Sequence, residues 1–366
     1  MKLSYLILCS ASIFTLVKSL PSCETVEGFK SEEEELNQLY KDALEEGGNL
    51  IVYEGGDGQR QQARANNAFN QRFPGMNATF IVNFSKYHSI DIDNQLERNE
   101  LIPSVAHLQT VHDFYRWKEE GKLMPFKTFN SDKVYSALKD PEYHFQAVSI
   151  VGFGPNSSTE TFNKGDMPIE DEDFLKPQYK NRLVLTYPND DDAVLYQFYK
   201  LIQRYGWSHI DRLIEQNVTW VRGSETPTNM ISNGTFPDGV TFTCNNRLVP
   251  LPDSKVVIKY PKNSWFLAWG QNAAIFKKAR HPAAAKLYVA WYLSDSNQKS
   301  DIINWSPRYD IPPKEGYRKI HEYTNTSPED YVKFMLDRTN IEALKIRFEK
   351  LIGHPQGDSP MLDPNL

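Results

Sequence analysis

Between residues 34 and 121 the sequence alternates between two periods, and this alternation narrows the choice of folds most. Apolar residues recur at helical spacing, then run together as a short strand, then return to helical spacing. Residues 34–46 read as a helix with Leu36, Leu39, Tyr40, Ala43 and Leu44 on one face, stopped by Gly47-Gly48. Residues 49–53 read as a strand. The turn Glu54-Gly55-Gly56-Asp57-Gly58 opens a second helix over 59–73, ended by Pro74-Gly75. A strand over 78–84, a loop over 85–88, a helix-like stretch to Arg98, a strand over 104–108 and a helix over 112–120 follow. Such an order predicts an α/β fold whose mostly parallel sheet is covered by helices on both faces. In such sheets ligands gather at the carboxyl ends of the strands. Those loops are 55–58, 85–88 and 109–112.

The middle of the chain reads as a second unit. It holds strands over 146–153, 181–186, 217–221, 240–243 and 255–259, with helices over 193–205 and 211–216. An apolar stretch over 265–269 precedes helices over 273–280 and 282–293. Ser327-Pro328 starts a final long helix to Ile352, with proline in its first turn. The chain is 366 residues long, enough for two cores. With 40% hydrophobic and 24% charged residues, wholesale disorder and a fibrous rod are excluded.

Mean hydropathy is −0.56, and the one long apolar run lies at the N-terminus. Lys2, the apolar run over 3–17 and the small residue Ser19 read as a secretory signal over 1–19. The run is shorter than the roughly 20 residues a membrane span needs, so no membrane insertion is expected. The formal charge of −6 becomes two units more negative without Lys2 and Lys18. An acidic chain argues against nucleic acid and anionic membranes as partners. Cys23 and Cys244 remain after the signal, and an oxidising compartment would allow one disulfide between them. Glycosylation sequons occur at Asn77, Asn83, Asn156, Asn217, Asn233 and Asn325. That is about twice the roughly three that chance would supply, and it points to a secreted eukaryotic glycoprotein.

Several ordered segments resemble the type II periplasmic binding proteins, the extracellular solute receptors of ABC-type importers, and in particular their ferric-iron-binding branch. They are 46–53 with the Gly-rich helix start behind it, Phe69-Asn70-Gln71-Arg72-Phe73-Pro74-Gly75, Tyr205-Gly206-Trp207 and Val221-Arg222-Gly223-Ser224. The most specific is Ala279-Arg280-His281-Pro282-Ala283-Ala284-Ala285-Lys286-Leu287, continued by Leu293-Ser294 and Gln298. The resemblance spans about residues 46–300 and, with the sequons, suggests a secreted eukaryotic, fungal form. It implies two α/β lobes joined by hinge strands near 147–154 and 256–269. Lobe 1 would comprise 49–148 plus 266–366, lobe 2 would comprise 149–265, and 20–48 would be a lead-in and first helix. A ligand would be captured in the cleft by hinge closure. One departure matters. The iron-binding branch uses adjacent tyrosines, whose phenolates are hard anionic donors suited to ferric iron. This chain has no Tyr-Tyr pair and reads Val240-Thr241-Phe242-Thr243-Cys244 there.

The candidate cleft residues each have a plainer alternative. Gly56, Asp57 and Gly58 lie at a strand-to-helix turn, where backbone amides favour an anion and glycine permits close approach. Simple capping by Asp57 is the alternative. Tyr87 and His88 follow the second strand, and His88 is a candidate metal or phosphate ligand; a surface loop is the alternative. Gly223, Ser224, Glu225 and Thr226 form the corresponding loop of the other lobe. Asp190, Asp191 and Asp192 precede a helix, where capping competes with binding of a cation or metal. Trp265 and Trp269 could stack on a ligand or pack in a core. No esterase, zinc-protease, phosphate-loop or dinucleotide motif is present, so an enzyme is not expected. The expectation is a secreted, extracellular, monomeric solute-binding protein without a cofactor, holding a small polar or anionic ligand. The metal ligands and the downstream receptor stay open. A ferric-iron or other metal-ion binder is one alternative, and an effector that reuses the fold without a ligand is the other.

Overall fold

The computed structural model describes residues 29–162, 166–249 and 254–362. The expected signal segment 1–19 and Cys23 lie outside the described residues. In chain order the first elements are α1 (Glu32–Glu45), β1 (Asn49–Gly55), α2 (Ala63–Arg72), β2 (Asn77–Asn83), α3 (Ser85–Glu97), β3 (Val105–Leu108), α4 (Val111–Glu119) and β4 (Leu123–Met124). Then come β5 (Gln146–Gly152), β6 (Asn156–Ser158), β7 (Val184–Thr186), α5 (Asp192–Tyr205), α6 (Trp207–Ile214), β8 (Thr219–Val221) and α7 (Thr226–Ser232). The last are β9 (Val240–Thr241), β10 (Val256–Ile258), β11 (Ala268–Phe276), α8 (Pro282–Tyr292), α9 (Pro328–Leu336) and α10 (Arg338–Ile352).

Helix α1 begins where the Ser31 hydroxyl accepts from Glu34 N at 3.1 Å. Its first turn carries Glu32 to Glu35, which suits the positive end of the helix. Leu36, Leu39 and Ala43 bury against α8, itself apolar on nearly every side. The main sheet has the order β2-β1-β3-β11-β4, with β5 also pairing with β11. β2, β1 and β3 are parallel. β11 runs antiparallel to β3, β4 and β5. The sheet is therefore mixed rather than mostly parallel, and residues 273–276 are strand where helix was expected. All nine residues of β11 are buried, so it carries no polar alternation to mark it as a strand.

A second core gathers around the parallel pair β7-β8 and α5, with the antiparallel sheet β10-β6-β9 beside it. β5 and β11 connect the two cores side by side. Ala147, Val148 and Ile150 pack in the first core, and Val151 and Phe153 in the second. Likewise Ala273 and Ile275 serve the first core, and Leu267 and Trp269 the second. Helices α9 and α10 contribute to the second core. Their apolar faces match α5: Phe334 lies 4.8 Å from Tyr196, and Phe348 5.4 Å from Phe198, between ring centroids. The expected single helix also breaks at Asp337, whose carboxylate accepts from Asn340 N at 3.1 Å and starts α10.

Cys244 is fully buried, and its expected disulfide partner, Cys23, lies outside the described residues. The Cys244 sulfur faces Gly154 O and Asn246 Oδ1 within the second lobe. Two expected glycan acceptors are also corrected. Asn156 is 1% exposed in β6, leaving no room for a sugar. The Asn325 amide donates to Pro261 O at 2.9 Å and Ser264 O at 2.6 Å, so it holds the fold together. Asn77, Asn217 and Asn233 are exposed and Asn83 is half-buried.

Candidate functional site

The two lobes meet at the carboxyl ends of β1, β3, β7 and β8. The first wall begins at Gly55. A Cβ there would lie 2.0 Å from Ser85 Oγ, and one on Gly56 would lie 2.9 Å from Val82 Cγ1, so glycine lets the loop run close to these side chains. Gln61 Oε1 accepts from Asp57 N at 2.7 Å and steadies the turn. Gly58 is buried behind it, its carbonyl accepting from Gln61 N at 3.1 Å. The second wall is the pair of adjacent loops after β7 and β8, which carry Asp190 and Asp191, and Gly223 to Glu225.

Residues from both walls bond directly. The Asp57 carboxylate accepts from Ser224 N at 2.6 Å and from the Ser224 hydroxyl. Lys86 Nζ donates to Asp190 Oδ1 at 2.7 Å. Arg222 Nε donates to Asp190 Oδ2 at 2.9 Å, and Arg222 Nη2 to the Tyr87 hydroxyl at 3.3 Å. Asp57, Tyr87, Asp190, Gly223 and Ser224, chosen from sequence at distant positions, therefore share one interface.

The other candidates sort differently. Ser85–His88 is the first turn of α3, not a loop, so Lys86 and Tyr87 face the second lobe while His88 turns inward. His88 is 2% exposed, stacks on Tyr53 at 4.4 Å and has Nε2 2.9 Å from Ile81 O, away from the cleft. Thr226 donates to Arg222 O at 2.6 Å within its own loop. Trp265 packs edge-on against Tyr196 at 5.2 Å in the second core, whereas Trp269 reaches the cleft wall. The Asp run is divided among separate tasks. Asp191 caps α5, accepting from Ala193 N at 2.7 Å and Val194 N at 3.0 Å. Asp192 pairs with Arg338 at 3.0 Å and Lys345 at 2.7 Å.

Burial sets the electrostatics. It pushes the Asp57 carboxyl above its ordinary value, opposed by the Ser224 bonds. Burial, with the neighbouring charge of Asp57 adding to it, pushes Asp191 up to about 7. Burial also raises Glu225, with Arg247 Nη2 4.0 Å away pulling it back. Asp190 goes the other way: burial would raise it, but Arg222 and Lys86 together hold it below the ordinary carboxylate range. These carboxyl groups sit in low dielectric, so each exchanges water for a named protein donor or cation.

Deeper in, the cleft is walled by carboxamides that sequence reasoning missed. Gln61, Gln62, Gln109 and Gln271 come from the first-lobe side, and Asn245 with Arg247 from the second. Asn304 and Trp269 complete the wall. Asn245 Oδ1 and Asn304 Oδ1 are buried acceptors without a protein partner. Single amides at unrelated positions carry no motif, so only the folded chain assembles them. Among the described residues, one group has spacing that could hold a metal: Asp140, Glu142 and His144. It lies outside the cleft, and Lys118 already bonds Glu142 at 2.7 Å and Asp140.

Residues 102–301, just over half of the chain, match the family described as bacterial extracellular solute-binding protein. No curated protein matches the chain. Solved structures with the same fold include iron-bound HitA from Pseudomonas aeruginosa, at 15% identity and a TM-score of 0.64, covering 82% of this chain and 99% of that one. AfuA from Actinobacillus pleuropneumoniae, with exogenous fructose-6-phosphate bound, matches at 18% identity and a TM-score of 0.67, covering 83% and 98%. The substrate-binding protein of an ABC transporter from Agrobacterium tumefaciens matches at 14% identity and a TM-score of 0.69, covering 82% and 93%. Family and neighbours are binding proteins, and among the described residues no helix is long and apolar enough to cross a membrane. This chain belongs to the bacterial extracellular solute-binding protein family.

Proposed function

We propose that this protein captures one small polar solute between its lobes, closes on it by bending at β5 and β11, and catalyses nothing. The observation that carries this reading is the carboxamide wall with Trp269 on one side and Arg247 at its end. Carboxamides offer donors and acceptors together, which suits a ligand rich in hydroxyl groups. Arg247 adds a fork for an anionic group on the same ligand. A sugar phosphate, the ligand class bound by AfuA, combines both features. Ferric iron, bound by HitA, is the weaker reading here, because the cleft offers amides and paired carboxylates instead of adjacent phenolates. The signal-like N-terminus and the exposed sequons at Asn77, Asn217 and Asn233 support secretion as a glycoprotein.

Thermal unfolding against ferric citrate, sugar phosphates, phosphonates, thiamine and polyamines tests the reading. A true ligand at 100 times its dissociation constant stabilises the fold by about 2.7 kcal/mol, a clear rise in midpoint. The rise is expected with a sugar phosphate and is expected to disappear in Arg247→Ala. A flat response across the panel would sink the proposed ligand class.

A further inference from the structure

The walls of the cleft are joined by bonds made entirely within the chain, and these bonds form a pattern. Asp57, from the turn after β1, grips Ser224 at both its amide and its hydroxyl. The carboxylate is 7% exposed, so water and salt screen these bonds little. Lys86 and Arg222, from opposite lobes, share the two oxygens of Asp190. The neighbouring residue, Gly223, is held from outside by the C-terminal segment 353–362. Gly223 has φ +77°, and a Cβ on it would lie 2.5 Å from Pro360 Cγ, so Pro360 sits directly on its backbone. That segment is tied to the second lobe where Asn189 Nδ2 donates to Gly353 O at 3.0 Å. It then reaches the first lobe, where Gln59 Nε2 donates to Met361 O at 3.0 Å. A strap leaving α10 in the second core thus ends on the turn that carries Asp57.

We propose that Asp57, the Lys86–Asp190–Arg222 group and the strap 353–362 form an intramolecular latch that holds the lobes together. The latch rests on the solute-cleft reading for what it controls: solute enters only when it releases. A ligand whose entry requires a minor open state binds with its affinity reduced by the open fraction. The latch therefore sets the threshold concentration at which this protein responds.

The test uses the full chain without added solute, beside Asp57→Ala and a truncation after Ile352. The truncation removes a mostly exposed tail and keeps the proposal testable should Asp57→Ala misfold. Small-angle scattering reads the radius of gyration, and hydrogen exchange reads the Ser224 amide. The latch predicts a larger radius and lost Ser224 protection in each variant. Identical radius and protection in all three proteins overturn it. The same solute panel on the variants separates the two ideas. Variants that open but bind nothing leave the latch standing and remove the solute reading. A solute that binds wild type while the variants scatter like it removes the latch alone.

Discussion

Glu54 and His107 show how single residues set the working range of the fold. Both are fully buried, Glu54 on β1 and His107 on β3. The Tyr288 hydroxyl donates to Glu54 Oε1 at 2.9 Å and lies 3.0 Å from His107 Nδ1, while Asn66 Nδ2 donates to Glu54 Oε2 at 2.8 Å. Burial pushes Glu54 up to about 7 and His107 down to about 3. The folded chain keeps the Glu54 proton while the unfolded chain loses it, so this group's stability falls as pH rises from 4.5 to about 7. The folded chain refuses a proton on His107 that the unfolded chain accepts, so stability also falls as pH drops from 6.5 towards about 3. Glu54→Gln is therefore expected to gain on the order of 2 kcal/mol above pH 7 and little below pH 4.5. Urea titrations across pH check this, and an equal gain at both ends would refute it. Neither residue was marked by the sequence, because a buried acid in a strand looks like any other glutamate.

At the level of elements, periodicity predicted most helices to within a few residues, and its misses include two places where packing decides. β11 was read in part as helix because a fully buried strand carries the same continuous apolar signal as a buried helix. α9 and α10 were read as one helix, and an apolar face by itself does not say which surface it meets. Phe348 on α10 is 0% exposed against Phe198 and Trp207. Phe348→Ala should cost about 3–5 kcal/mol by opening a cavity in the second lobe. Ile346, 58% exposed on the same helix, should tolerate alanine within about 0.5 kcal/mol. Denaturant midpoints of the two variants check both, and equal losses would place α10 off the second core.

For the whole molecule, the decisive feature is that β5 and β11 run through both cores as neighbours. They pair from Ala268↔Gly152 to Ala273↔Gln146, with a register irregularity between Gln271 and Asn272. Under the proposed capture, this is where the lobes would bend against each other. Solute capture should therefore protect amides on both walls from hydrogen exchange, in the loops 55–61 and 222–226, while the interiors of α5 and α8 change little. Protection confined to one wall would contradict a ligand held between lobes.

By itself the sequence determined the α/β class, and it marked the glycine turn 55–58 and Asp57, Tyr87, Asp190, Gly223 and Ser224 as separate local signals that the fold then brings to one interface. These features are local: a turn, a cap and a strand end are written in a few adjacent residues. Only the tertiary structure decided that His88 and Trp265 face inward and that Cys244 is buried. It also decided that Asp191 caps α5 while Asp192 pairs with α10, and that scattered carboxamides become one wall. Those outcomes depend on which surfaces bury each other across long stretches of chain, and burial chooses partners that spacing cannot name.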